Sequence, residues 1–318
     1  RGGALIVAYG RYSLKIDPRG QGLGVEKVTS QLDDMLSGWG VRVEDKMVLD
    51  PQSGALPVPI RPGMMKMIQY PFWVDVRSDG MADESVVASG LPSVTMQWVS
   101  PLTLSEIDGV KWTSLLQSTS GSWTQSTTNV QPDFGRYPEL GFGQGDGEQG
   151  DKQEGGYSLA ASATGVFKSA FAGKQSPLAS AALLPPDASA KGAVSNAGST
   201  QVLEASSKDA RLIVFGSSEF LRDEVFQISR QMGSDSFINN IQLFENAVDW
   251  SLADTDLLSI RSRGAFARTL RPMKDVHRST WELVNALIMI AFLLGIIFWI
   301  YIKRKSVRPI DVAELTAS

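Results

Sequence analysis

The chain has 318 residues, with 30 Lys and Arg against 34 Asp and Glu, one His and no Cys, giving a formal net charge of -4. Without cysteine it can build no disulfide, iron–sulfur cluster, cysteine-ligated zinc or thiol nucleophile, and the single His277 excludes a histidine-rich metal site and leaves one imidazole for any Ser-His-Asp arrangement. An acidic total without a basic domain gives nucleic-acid binding no support, and the length suits one large or two ordinary domains.

Arg1, Gly2 and Gly3 lead into Ala4 to Ala8, which reads as a buried interior strand entered from a turn. With no initiator Met, signal peptide or first membrane span in view, the chain is expected to lack its natural beginning. A loop to Gly24 precedes Val25, Val28, Leu32, Met35, Leu36 and Trp39, whose spacing predicts a helix ended by left-handed glycines at Gly38 and Gly40. Val41 to Leu49 is the next expected strand. This alternation makes residues 1–60 the first part of an α/β domain with a parallel sheet. Gly20, Gly22 and Gly24 suggest a phosphate cradle, but the dinucleotide fingerprint needs a glycine where Val25 stands. No G-x-x-x-x-G-K-S/T run occurs either, so no nucleotide cofactor is expected and the chain is not itself an ATPase by that criterion.

Residues 61–135 change character. Met67 to Val76, Ser93 to Val99 and Val110 to Ser118 are β-rich runs broken by Pro and Gly, which predicts a β-rich insertion. The last of them leaves into Ser118, Thr119, Ser120, Gly121, Ser122 and Trp123. Hydroxyls beside an aromatic ring suit a carbohydrate or peptide groove, so Ser118, Thr119, Ser120 and Trp123 form a candidate ligand or partner loop. The plainer reading, which is favoured, closes a turn with the hydroxyls and lays Trp123 over a sheet edge. Residues 136–200 are rich in Gly, Ala and Ser. Gly141 to Gly156 has too few apolar side chains to offset the entropy of ordering and is expected to be a mobile loop. Ser176 to Ser199 is similarly weak, and 157–168 is the one possible strand between them.

The α/β pattern returns over 201–262. Arg211 to Phe215 has the form of a fully buried parallel strand, broken by Gly216, after which Ser217 or Ser218 is expected to cap a helix beginning at Glu219. Ser218 stands where an α/β-hydrolase nucleophile would, but Phe220 replaces the second glycine of that elbow; a cap is the expected role, with Ser218 the residue to test for hydrolysis. Ile241, Phe244, Val248 and Leu252, with Asn240, Asn246 and Trp250 interleaved, signal another helix, and Leu257 to Arg261 a last strand. The acid pairs Asp33-Asp34 and Glu44-Asp45 point apart, while Asp249, Asp254 and Asp256 follow a helix whose negative end lends a cation no specificity. No catalytic or metal-binding residue is assigned.

A juxtamembrane stretch, 263–282, leads to Leu283 to Ile302, twenty residues without a charge. As a helix this is about 30 Å long, the thickness of a bilayer's hydrocarbon core. Trp281, Trp299 and Tyr301 lie near its ends, where amphipathic rings favour the headgroup level. Lys303, Arg304, Lys305 and Arg308 follow without an acid until Asp311, whereas the preceding Arg268, Arg271, Lys274 and Arg278 are diluted by Asp275 and Glu282. The bias places the tail, 303–318, in the cytoplasm and the bulk of the chain outside. Asn285 and Gly295, about 80° apart around the helix, are the expected contacts with a partner helix, since a polar amide and a small residue favour helix over lipid.

Several segments in this order resemble the GldG-type auxiliary proteins of ABC transport systems, a family named for bacterial gliding motility. They are Arg1 to Val7, Gly22-Leu23 ahead of Leu36 to Val41 and Asp50, Leu115 to Trp123, Gly165 to Phe171, Arg211 to Phe220, Asn240, Asn246 to Trp250, Ile260-Arg261, and the membrane helix with its basic stop. The resemblance implies a periplasmic, parallel-sheet domain of flavodoxin-like form, related to class I glutamine amidotransferases and without their chemistry. It further implies an anchor in the bacterial inner membrane beside an ABC permease, with ATP hydrolysis in a separate subunit. The lack of Cys agrees independently, because a Cys-His-Glu triad cannot be formed. The function expected is a non-catalytic auxiliary subunit that engages substrate or partner proteins; the alternative is an extracytoplasmic ligand-binding or hydrolytic module anchored by its C-terminal helix.

Overall fold

A computed structural model describes residues 3–16, 23–61, 64–82, 85–88, 90–138, 141–143, 156–174, 202–231, 236–252 and 275–306. The chain divides into two compact units, Arg1–Arg268 and Thr269–Ser318. In the first, β1 (Ala4–Ala8) is followed by a hairpin of β2 (Tyr12–Ile16) and β3 (Leu23–Lys27), helix α1 (Leu32–Gly38), and the short strands β4 (Val41–Val43) and β5 (Met47–Leu49). Then come β6 (Ser53–Arg61), β7 (Met64–Arg77), β8 (Ser93–Gln97), β9 (Leu102–Leu104), β10 (Val110–Gln117), β11 (Trp123–Gln125) and β12 (Ser158–Gly165). β13 (Ala210–Phe215), a 3-10 turn at Glu219–Leu221, α2 (Asp223–Gln231) and α3 (Ser236–Ser251) complete it.

The central sheet is mixed, where sequence periodicity predicts a parallel one. Its order is β1-β13-β12-β9-β4, with β10 also paired to β12; β1 and β13 are parallel, and the remaining pairs are antiparallel. The run of apolar residues in β13 reports burial on both faces, and burial does not encode the direction of a neighbour. Leu212 and Val214 face Leu36 of α1, whereas Ile213 and Phe215 pack with Leu243 and Ala247 of α3, so helices cover both sides. β1 is an edge strand and half exposed, with Leu5 42% accessible, in place of the interior strand expected.

The expected long helix from Val25 is shorter, starting at Leu32. Gly24 and Val25 belong to β3, where Leu14 faces Val25 across the hairpin and both are buried. Over so few residues Val25, Val28 and Leu32 satisfy a helical spacing, while the alternation of a strand fits the same window. Gly40, at φ +89°, does turn the chain after α1, and a Cβ there would meet Ser105 O at 2.7 Å. β4 and β5 replace the single strand expected over Val41 to Leu49. Of the strands in the β-rich stretch, β6, β7 and β8 form their own sheet, β11 pairs with β5, and β9 and β10 join the central sheet. Gly20, Gly22, most of the Gly-rich loop (144–155), Ser176 to Ser199 and Leu257 to Arg261 lie outside the described residues.

Two amides on α3 fasten the helix to β8 and to the connection before it. Thr95 N donates to Asn240 Oδ1 at 3.1 Å and Asn240 Nδ2 donates to Thr95 O at 2.9 Å, so Asn240 acts as one more strand beside β8. Asn246 Nδ2 donates to Val87 O at 3.1 Å. Asn240→Leu keeps the branched shape and orphans both Thr95 backbone groups; a loss of about 3 kcal/mol is expected. Urea denaturation followed by circular dichroism checks it: a lower midpoint with unchanged slope is the expected result.

Candidate functional site

In open α/β sheets ligands bind beyond the carboxyl ends of the strands. In this unit that position follows the parallel pair β1 and β13, with Tyr9 to Arg11 on one side and Gly216 to Glu219 on the other. The chain fills it with its own backbone. Residues Gln97 to Pro101, passing from β8 to β9, cross the crevice: Ser100 N donates to Gly216 O at 2.8 Å, Arg11 N to Ser100 Oγ at 3.1 Å, and Ser217 Oγ to Gln97 O at 2.7 Å. A Cβ on Gly216 would lie 2.1 Å from Ser100 O, and one on Gly10 2.8 Å from Gly216 O. Trp98 turns the segment into place at φ 44°, the one non-glycine residue with positive φ among the described residues. Its ring packs edge-on against Trp73 at 6.0 Å and Tyr70 at 6.4 Å.

The cap after β13 comes from Ser217, whose Oγ accepts from Glu219 N at 3.0 Å; Ser218 makes no capping bond, and Glu219 opens a 3-10 turn ahead of α2. Ser218 Oγ reaches Glu219 Oε1 at 3.4 Å, and the first unit contains no histidine to act as its base. Glu219 is 1% exposed and fully engaged, accepting from Leu14 N and from the Arg222 guanidinium, each at 3.1 Å. It fastens the β2–β3 hairpin over the filled crevice. On the opposite side Arg11 pairs with Asp33 of α1 at 2.5 Å and donates to Tyr9 Oη at 3.2 Å. Burial pushes the Tyr9 phenol above its ordinary value, partly countered by Arg11.

The loop Ser118 to Trp123 is stapled by Asp50. Thr119 N and Oγ1 donate to its two carboxylate oxygens at 2.7 and 2.8 Å, and Gln52 N donates at 2.8 Å. Ser118 Oγ accepts from Tyr157 N at 2.8 Å and pairs with Ser122 Oγ at 2.7 Å. Trp123 is buried in the aromatic core with Trp73, Trp98 and Phe142, not laid over a sheet edge. Ser120 and Thr119, with Gln52 and Asp79, line a shallow cavity of about 240 Å³. Asp50 was legible only as part of the family resemblance; its spacing from Thr119 hides its role.

Burial raises the Asp50 carboxyl above its ordinary value, against the lowering effect of the Thr119 and Gln52 bonds. A raised value in the folded chain means that it holds a proton more readily than the unfolded chain, so stability falls as pH rises from the ordinary carboxylate value through the raised one. Asp50→Asn removes that slope. Urea midpoints of wild type and variant, measured from about pH 3.5 to 6.5, should diverge with rising pH, the wild type losing ground.

A larger groove, about 500 Å³, opens where β9, β10 and β12 meet, with Glu44, Thr103, Ser114, Gln117, Thr124 and Ser158 in its wall. Among the described residues no cluster of three or more acids or histidines could hold a metal ion.

The second unit contains helix α4 (Asp275–Ser306). Thr280–Lys305 within it contains an 18-residue stretch of mean hydropathy 2.7 and is long and apolar enough to cross a membrane. Asn285 and Gly295 are exposed along it, with no atom within 4 Å of a Cβ placed on Gly295. Lys303 Nζ lies over the Trp299 ring at 5.4 Å. His277 belongs to its opening turns.

A family model described as ABC-type uncharacterized transport system, the auxiliary component, matches residues 1–252. The chain belongs to that family. Membership agrees with the GldG-type resemblance and gives the chain an accessory role in a transport system. No curated protein matches it. The matched residues include the whole filled crevice, while α4 lies beyond them.

Proposed function

We propose that this chain is a non-catalytic, membrane-anchored auxiliary subunit of an ABC transporter. Its α/β unit stands on the periplasmic side of a bacterial inner membrane, α4 spans the bilayer, and the basic tail is cytoplasmic. Family membership supports the transport role. The observation that carries the non-catalytic part is the crevice at the ends of β1 and β13: where related architectures place their chemistry, Ser100 and Gly216 are in backbone hydrogen bond at 2.8 Å. ATP hydrolysis then falls to a separate subunit, and Asn285 and Gly295 face a permease helix.

A detergent pull-down on the full chain, tagged at its C-terminus and analysed by mass spectrometry, tests this. An ABC permease and its ATPase should accompany the chain, and both should be lost when Leu283 to Ile302 is exchanged for an unrelated membrane span. Recovery of the chain alone, with ester hydrolysis that disappears in Ser218→Ala, would overturn the reading.

A further inference from the structure

The groove where β9, β10 and β12 meet belongs to neither the filled crevice nor the membrane helix. Its wall is hydroxylic. Ser114 Oγ and Ser158 Oγ lie 2.8 Å apart, and Thr103 Oγ1 donates to Glu44 Oε1 at 2.9 Å. A hydroxyl that makes one such bond still has a lone pair or a proton to offer. Thr124, 1% exposed, also lines the groove, and its Oγ1 has no partner among the described residues. Buried behind the wall, that hydroxyl is closed to anything lying in the groove, and the groups that face a ligand are those of Thr103, Ser114, Gln117 and Ser158. Glu44 and Lys46 contribute one charge of each sign, so the wall selects neither an anion nor a cation.

Four apolar residues border the groove: Pro101, Leu102 and Tyr157 are buried and Leu104 is half-buried, so the wall offers a ligand mainly polar groups and one small apolar edge. We infer that this groove binds a neutral, polyhydroxylated ligand, a short saccharide. Vicinal hydroxyls donate and accept at once, matching a wall of Thr103, Ser114, Ser158 and the Gln117 amide, each of which does the same. With little apolar surface to cover, the affinity comes from hydrogen bonds and is modest. The inference deepens the auxiliary-subunit reading by naming the class of substrate that the subunit engages, and it rests on that reading for its biological setting alone.

The test uses the full chain in a zwitterionic detergent, since glucoside and maltoside headgroups would compete for the groove. Saturation-transfer NMR and calorimetry are run against neutral trisaccharides of gluco, galacto, manno and N-acetylglucosamine configuration, and against a capped Ser/Gly hexapeptide. Saccharide binding that weakens about tenfold in Ser158→Ala and in Thr103→Val is expected, roughly one hydrogen bond in each case. Thr124→Val, which removes an unpaired hydroxyl buried behind the wall, should bind as wild type and melt at an equal or higher temperature; a purely structural role for Ser158 and Thr103 would move stability and leave binding alone. Ser120→Ala, outside the groove, should bind as wild type. No transfer from any of the trisaccharides, binding indifferent to both groove variants, or hexapeptide binding in place of saccharide would each overturn the proposal. Because binding is read on the chain alone, a failed pull-down with saccharide binding intact would remove the transporter setting and leave the site standing.

Discussion

Gly216→Ala is expected to lower the stability of the α/β unit by about 3 kcal/mol, with a melting temperature lower by roughly 10 °C. The new methyl would fall 2.1 Å from Ser100 O, 3.1 Å from Leu159 O and 3.2 Å from Val99 Cγ2. Two of these three are backbone oxygens of residues pinned to Gly216 itself: Leu159 O accepts from Gly216 N at 2.9 Å, and Ser100 N donates to Gly216 O at 2.8 Å. Neither can withdraw without parting β13 from β12 or lifting the 97–101 segment. No left-handed conformation is involved, so the cost is one of space alone. Scanning calorimetry of the purified chain decides it, and a variant that melts within a degree or two of wild type would show that the crevice is less tightly filled than these distances require.

Trp98→Ala is expected to cost about 4 kcal/mol, the ordinary penalty for truncating a large buried ring. Trp98 is 0% exposed and packs among Tyr70, Trp73 and the rest of the aromatic core. Its backbone provides an internal control. At φ 44° an L side chain is strained by about 1 to 2 kcal/mol, a strain glycine does not carry. Trp98→Gly loses the same ring and relieves the strain, so it should be the more stable of the two variants by about 1 kcal/mol, an order opposite to that in a helix or strand interior. Chemical denaturation of both variants measures the difference. If Gly proves worse than Ala, Trp98 does not hold the turn that carries the chain across the crevice.

These two residues mark the boundary of what was legible beforehand. Gly216 was recognisable as the end of a strand, because an apolar run followed by Gly-Ser-Ser punctuates any α/β chain. That Ser100 would lie against it was not, since the contact joins two connecting segments far apart in the sequence. Asn240 and Asn246 stood out as polar residues interleaved in an apolar helix, yet their partners, Thr95 and Val87, are 145 and 159 residues away. The hydroxyl loop at 118–123 was visible as composition, whereas its fastening by Asp50 depends on a contact across 69 residues. Ser114 and Ser158 look like unremarkable strand serines until β10 and β12 pair.

Composition and local periodicity determined what depends on near neighbours alone. The lack of cysteine, the length and hydropathy of Leu283 to Ile302, and the buried run Arg211 to Phe215 each follow from residues within one turn or one strand of each other. Family membership was legible for a related reason, being carried by short segments in a set order. Strand direction, the edge position of β1, the hairpin in place of a longer helix and the filled crevice were decided by tertiary structure. A strand's hydrophobic pattern records which faces are buried, and parallel and antiparallel neighbours bury them equally well. The segment that occupies a ligand crevice is chosen by the whole fold's close packing, where a difference of one Cβ at Gly216 separates fit from clash.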